Sequence, residues 1–260
     1  MIYLDYSANT PMDPAVLEVY RKTELAFFGN PNSEHPAGLA ARERLAAVTD
    51  SVAAQLGVLP GEIIYTSGAS EANNLAIKGI ARTQRHLGRH IITTPLEHPS
   101  VSGPLTWLQE QGYEIDLLDV GRDGKVSLDH LRELLRRDTV LVAVTAVDSE
   151  LGVCQPVREI AEILREWPDC RLHVDATQAM GKAPFSFAGI DTVSLTAHKL
   201  YGPNGIGLLY LRGGVVLEPL IHGGPGPPSI GAGRRPWGWP PRWTRPCPAL
   251  WRRGKTVLPM

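Results

Sequence analysis

Short apolar, β-branched runs alternate along the chain with longer stretches of helical periodicity, and this alternation constrains the fold more than any other feature. The runs are 63–66, 90–93, 113–118, 140–145, 172–175, 192–195 and 206–211. Between them, residues 37–56, 71–87, 101–111, 128–137 and 157–166 carry apolar positions at helical spacing. Such an order argues an α/β architecture with a mostly parallel sheet. Gly57, Gly88 and Gly112 stand where helix C-caps belong. Ligands of open α/β sheets sit beyond the carboxyl ends of the strands, so chemistry is expected from residues that directly follow the apolar runs.

Two such residues are Asp175, closing the run 172–175, and Lys199, in Ser194-Leu-Thr-Ala-His-Lys-Leu-Tyr-Gly202. A lysine amine can hold the aldehyde of pyridoxal phosphate (PLP) as a Schiff base, while a carboxylate keeps the pyridine nitrogen protonated so that the ring accepts electrons. Taken alone, a strand-end Asp and a surface Lys are more commonly solvated charges. Gly68-Ala69-Ser70 joins a strand to a helix and reads as a phosphate cradle at a helix N-terminus, or more plainly as a serine N-cap. His98, in Glu97-His-Pro-Ser100, follows the run 90–93 and begins the next helix; a side chain that titrates near neutrality suits proton exchange. Gln178 lies three residues past Asp175.

Tyr3-Leu-Asp-Tyr-Ser-Ala-Asn-Thr-Pro11, Phe28-Gly-Asn-Pro31, Thr66-Ser-Gly-Ala-Ser-Glu-Ala-Asn-Asn74, Glu97-His98, Glu150-Leu-Gly152 and the Asp175 and Lys199 segments occur in an order and spacing that resemble the cysteine desulfurase family, the NifS/IscS-like branch of the class V aminotransferases. The resemblance runs to about Gly224. It implies the PLP-dependent transferase fold of the aspartate aminotransferase type, with 1–224 as the large domain. It also implies Lys199 as the Schiff-base lysine, Asp175 as partner of the pyridine nitrogen and Gln178 as partner of the phenolic oxygen. Ala69, Ser70, Thr196 and His198 are implied at the phosphate, and His98 stacked on the ring and exchanging protons with substrate. Two positions depart from the family pattern. Asp148-Ser149 stands where the family often has Asn-Asn, which gives the cofactor Ser149, a shorter donor. Thr196-Ala197 replaces Ser-Gly before His198-Lys199 and keeps the hydroxyl.

Lys+Arg 26 against Asp+Glu 27 leaves a net charge of -1, with no electrostatic footprint for nucleic acid or an anionic membrane. A chain 43% hydrophobic and 20% charged reads as globular. The start at Ile2-Tyr-Leu-Asp5 has no leader-like basic and apolar regions, and no stretch is long enough to span a bilayer, so the expectation is cytoplasmic. Cys154, Cys170 and Cys247 lie far apart, in neither a disulfide framework nor a metal-ligand spacing.

Residues 225–260 are rich in Pro, Trp and Arg and contain no acidic residue. A basic aromatic tail can bind nucleic acid, but back-translation of Trp237–Pro248 from the third base of the Trp237 codon gives apolar residues at every fourth position on a helix-forming background. The expectation is therefore an out-of-frame tail, or a deliberate alternative ending, in place of the family's small C-terminal domain and its loop cysteine. None of the three cysteines matches the position of that persulfide-forming nucleophile. The function expected is a cysteine desulfurase by descent, converting L-cysteine to L-alanine and persulfide sulfur for iron-sulfur clusters or thiolated cofactors, with this chain inactive in sulfur transfer. The alternatives are selenocysteine lyase or another class V lyase, and a non-catalytic PLP-binding fragment. A homodimer and sulfur-acceptor partners come with the family and are doubtful for this chain.

Overall fold

The computed structural model describes residues 2–222. The domain boundary expected at 224/225, the expectations for the tail, and Cys247 lie outside the described residues.

A seven-stranded sheet runs β1 (Ile63–Thr66), β2 (His90–Thr93), β3 (Glu114–Leu117), β4 (Thr139–Thr145), β5 (Arg171–Asp175), β6 (Thr192–Thr196) and β7 (Gly207–Leu211), in the order β1-β7-β6-β5-β4-β2-β3. Strand β7 is antiparallel to both its neighbours, and β6, β5, β4, β2 and β3 are mutually parallel. The mostly parallel sheet is thus as expected from the alternation, with boundaries shifted by a residue or so.

Helices α1 (Pro14–Ala26), α2 (Pro36–Leu56), α3 (Ala69–Thr83), α4 (Pro99–Glu110), α5 (Leu128–Leu134) and α6 (Val157–Leu164) complete the described chain. Strand residues alternate between two cores because successive side chains point to opposite faces. Ile91, Leu141 and Leu209 pack with Leu75 and Ile80 of α3 and Leu105 of α4. Ile92, Val142 and Val144 pack with Leu131 of α5 and Ile160 of α6. All of β4 is buried, as a central parallel strand covered on both faces must be. Each fully buried Val, Leu or Ile there contributes about 1.5–3 kcal/mol.

Three expectations need correction. Helix α3 ends at Thr83 rather than 87, so Gly88 is no C-cap. A Cβ at Gly88 would lie 2.1 Å from the Asp138 carbonyl oxygen; the residue permits the close approach of two backbones. Gly57, by contrast, does cap α2 in the left-handed region at φ 70°. Helices α5 and α6 stop at Leu134 and Leu164, short of the periodic pattern. Helix α1 was not expected at all: Asp13 caps it by accepting the Ala15 N–H, but Val16 is its one buried residue. A helix without an apolar stripe buried against the core has no periodic signature to read.

Candidate active site

Asp175, His98 and the Lys199 turn meet at one edge because β5, β2 and β6 run parallel and each residue ends or follows its strand. Asp175 is 5% exposed. Its Oδ2 accepts a hydrogen bond from Asn73 Nδ2 at 2.8 Å and its Oδ1 accepts the Thr177 N–H at 2.9 Å. The carboxylate is fixed from both oxygens by groups that can only donate.

Lys199 is held differently. It sits in a 3-10 turn, Ala197–Lys199, that follows β6, and its Nζ donates to the Ser7 and Ala8 carbonyls, each at 2.6 Å. Burial pushes its pKa down, against the opposing charges of Asp5 and Asp175. A lysine with a depressed pKa offers more free amine for condensation with an aldehyde. The N-terminal segment is strapped over this turn. Thr10 donates both its N–H (2.9 Å) and its Oγ1 (2.8 Å) to the His198 carbonyl, while Thr10 Oγ1 accepts the Tyr201 N–H at 2.8 Å. Asp13 N–H closes the strap on the Tyr201 carbonyl at 2.9 Å. Tyr201 has φ 61°, the one non-glycine among the described residues in the left-handed region. Such a conformation costs roughly 1–3 kcal/mol and persists where its surroundings over-determine it, which the strap does.

The strand-to-helix turn 68–70 differs from the sequence reading in one respect. Gly68, not Ser70, is the N-cap of α3 and supplies no side-chain cap, so Ala69 and Ser70 open the helix with amides free of an intrahelical partner. Gly207 lies against it: a Cβ there would stand 2.6 Å from Gly68 Cα. A Cβ on Gly68 would point toward Thr196 Oγ1, at 3.9 Å. Thr196 Oγ1 donates to the Ile206 carbonyl (3.2 Å) and so accepts from His198 Nδ1 at 3.0 Å. Burial, then the Lys199 charge, lowers the His198 pKa. Thr196, with His198 bonded to it, therefore lies beside Gly68, the residue that opens onto Ala69 and Ser70.

Gln178 spends its side chain elsewhere, donating from Nε2 to the Ser7 carbonyl (2.8 Å) and accepting from Lys182 Nζ (2.8 Å). Lys182 is a second lysine beside the site, its pKa lowered by burial and by Lys199. Ser149 is exposed at the tip of a turn, with no side-chain hydrogen bond among the described residues. Its neighbour Asp148 is 7% exposed and caps that turn, accepting the Glu150 and Leu151 N–H groups on Oδ1. An asparagine carbonyl could do the same, so the first departure from the family pattern leaves the turn intact.

His98 is the N-cap of α4, its Nδ1 accepting the Ser100 N–H at 3.1 Å, and the residue is exposed. Glu97, beside it, accepts from Thr94 Oγ1 (2.8 Å) and Thr145 N–H (2.7 Å) on Oε1. Its other oxygen is buried with no partner among the described residues. Burial, strengthened by the negative charges of Asp175 and Asp148, pushes its pKa to about 8.

Sequence reasoning missed Asn73, Ser100, His173, Thr10 and Lys182. Asn73 was visible within the motif 66–74 but only as a helix residue, and nothing local marks its contact with Asp175, 102 positions away.

These residues fit pyridoxal phosphate. The uncapped α3 amides with Thr196 and His198 suit a phosphate, the clamped carboxylate suits a pyridinium, and Lys199 supplies the amine. Among the described residues no group of His, Cys, Asp and Glu could hold a metal ion, and no helix is long and apolar enough to cross a membrane.

Comparison with known proteins points to one family. The family model described as Aminotransferase class-V matches residues 2–229. The chain is 41% identical over 225 residues to "Cysteine desulfurase IscS" of Dictyoglomus turgidum, covering 86% of this chain and 57% of that protein. Among solved structures it is similar to a NifS-like protein, with TM-score 0.83 and 39% identity over 86% of this chain and 62% of the other. It is also similar to SspA in complex with cysteine, with TM-score 0.81 and 37% identity over 86% and 65% of the two chains. The chain thus spans less than two thirds of the length of each of these relatives.

Proposed function

The chain belongs to the class-V aminotransferase family, and from that premise we propose that residues 1–224 form the pyridoxal-phosphate-binding domain of a cysteine desulfurase. The observation that carries the reading is the convergence of a clamped Asp175, an amine of lowered pKa at Lys199 and the uncapped α3 N-terminus at one sheet edge. The relatives' names support cysteine as substrate, and the SspA structure contains it. Bound there, the cofactor would supply an electron sink for a carbanion at the substrate Cα.

The chain's own residues would divide the work. Ala69 and Ser70 amides, Thr196 and His198 would hold the phosphate, and Asp175 would hold the ring nitrogen's proton. Lys199 would carry the cofactor and, once freed by substrate, take the Cα proton at Nζ. His98 would lie over the ring, where its exposed edge can exchange a proton with substrate. Gln178 would reach the phenolic oxygen after releasing Ser7, and Ser149 would offer a weaker contact than asparagine.

Transfer of sulfur needs an accessible thiolate delivered to the substrate. Cys170 is 5% exposed and burial drives its thiol pKa far upward. Cys154 is exposed, but a backbone bridge to Val147 fixes it at the foot of the Asp148 turn rather than on a loop free to reach the substrate. Neither residue serves, so the proposed reaction needs a sulfur-accepting cysteine from outside residues 2–222; an acceptor in iron-sulfur assembly and a homodimeric partner rest on the family reading alone. The test is a titration of the purified chain with PLP. It should develop the absorption band of a lysine-bound pyridoxal, distinct from that of free PLP, and Lys199→Ala should lose it; a folded wild-type chain that shows only the free-PLP spectrum refutes the reading. Incubated with cysteine, Cys154 and Cys170 should carry no persulfide by mass spectrometry.

A further inference from the structure

Asn73 is fully buried on α3, yet its amide touches two residues of β5 and one of a second helix, α4. Nδ2 donates to Asp175 Oδ2 and to Ser100 Oγ, both at 2.8 Å, and Oδ1 stands 3.0 Å from His173 Nε2. His173 Nδ1 stands 2.9 Å from Thr192 Oγ1, and Ser100 Oγ stands 2.8 Å from His98 Nδ1. His173 and Thr192 are 0% exposed, and no solvent-facing partner competes for these bonds.

The direction of each hydrogen follows from one constraint. Asp175 Oδ2 is a carboxylate oxygen that accepts, so the Asn73 NH2 faces it and the Asn73 carbonyl faces His173. His173 must then donate from Nε2 and accept the Thr192 hydroxyl proton on Nδ1. Burial in an apolar interior keeps that ring neutral, with a pKa lowered to about 4. On the other side, Ser100 Oγ accepts from Asn73 Nδ2 and turns its own hydrogen to His98 Nδ1. That nitrogen also receives the Ser100 N–H. It faces two donors and carries no proton in the neutral ring.

We propose that Asn73 is a positioning residue that gives the chain Thr192–His173–Asn73–Ser100–His98 a single hydrogen-bond direction, so that His98 presents a protonated Nε2 at the site while Asp175 is held as a carboxylate. The inference rests on the proposed site for its purpose, because a neutral His98 would then meet substrate or cofactor as a hydrogen-bond donor. The geometry itself exists without cofactor, and so does its test.

In the 15N-labelled, cofactor-free chain, long-range proton–nitrogen correlation at mildly alkaline pH reads the tautomer of each histidine, with His98 and His173 assigned from His98→Gln and His173→Gln spectra. Both rings are expected as Nε2–H tautomers in the wild type. Asn73→Asp preserves the shape, and the buried pair it forms with Asp175 shares one proton, so that toward Ser100 residue 73 accepts instead of donating. It should turn the Ser100 hydroxyl toward residue 73, convert His98 to a mixture of tautomers, and move the titration of His173 upward. A wild-type His98 in the Nδ1–H form overturns the proposal without any variant at position 73. An Asn73→Asp chain that folds and leaves both histidine patterns unchanged also overturns it, leaving Asn73 a packing residue. The expected tautomers in a chain that binds no PLP would keep this inference and remove the functional one.

Discussion

The two strand ends that form the site are built on opposite terms. At β5, Asp175 is buried and held by side chains and backbone from α3 and its own turn, and the network behind it reaches through His173 into the sheet. At β6, Lys199 is half-buried and rests on two carbonyls of an N-terminal turn whose surroundings are open. Ile2, Leu4, Leu17 and Phe28 of the N-terminal arm are 85%, 82%, 53% and 82% exposed. The acid is therefore pre-set before any ligand arrives, whereas the amine must leave one set of partners to meet another. A group whose role is to stay ionised benefits from a rigid, satisfied setting, and one that forms and breaks a covalent bond does not.

The largest expected effect separates the ends by chemistry. Lys199→Ala should abolish the cofactor absorption band while leaving the thermal midpoint close to wild type, since the lost bonds are to exchangeable carbonyls. Asp175→Ala should lose stability as well as affinity: it leaves a buried Asn73 N–H without its acceptor, costing about 1–3 kcal/mol in a urea unfolding curve, and weakens PLP binding. A similar stability loss in both variants would erase the distinction.

Next in size is the pH dependence of the buried side. His173 is neutral in the folded chain to about pH 4, whereas its unfolded form takes a proton below the ordinary value of 6.5. It contributes stability present above that value and lost as pH falls toward about 4. Glu97 acts in the opposite sense. Its folded pKa, about 8, exceeds the ordinary 4.5, so its contribution is complete below 4.5 and is lost as pH rises through about 8. Stability measured by denaturant titration should decline from pH 6.5 to 8, and Glu97→Gln should flatten that decline. A decline unaltered in Glu97→Gln would place its cause elsewhere.

The smallest effect belongs to the strap. Thr10→Val removes the hydroxyl bonds to His198 and Tyr201 and should cost only about 1 kcal/mol. By loosening the Ser7 and Ala8 carbonyls it should also speed the growth of the cofactor band in stopped-flow absorbance. An unchanged rate would show that release of Lys199 does not limit attachment.

The sheet was legible because its strands are short, apolar and spaced by periodic helices. The strand-end chemistry was legible because Asp175 and Lys199 sit in local motifs. What stayed hidden was non-local or aperiodic. Asn73 and Ser100 are ordinary polar helix residues until α3 and α4 pack together over β5. Gly88 looks like a cap until Asp138 is seen against it. Helix α1 buries only Val16, so no stripe announced it. Lys182 becomes notable only because the turn after β5 brings it to Gln178 and near Lys199.

Lys182 also makes the most direct test discriminating. The chain is incubated with PLP, the imine is reduced with borohydride, and the pyridoxyl-bearing peptide is identified by mass spectrometry. The account predicts a single label on Lys199, formed at low PLP and reduced in Asp175→Ala. A label on Lys182, or one spread over surface lysines with Lys199 unmodified, would contradict it.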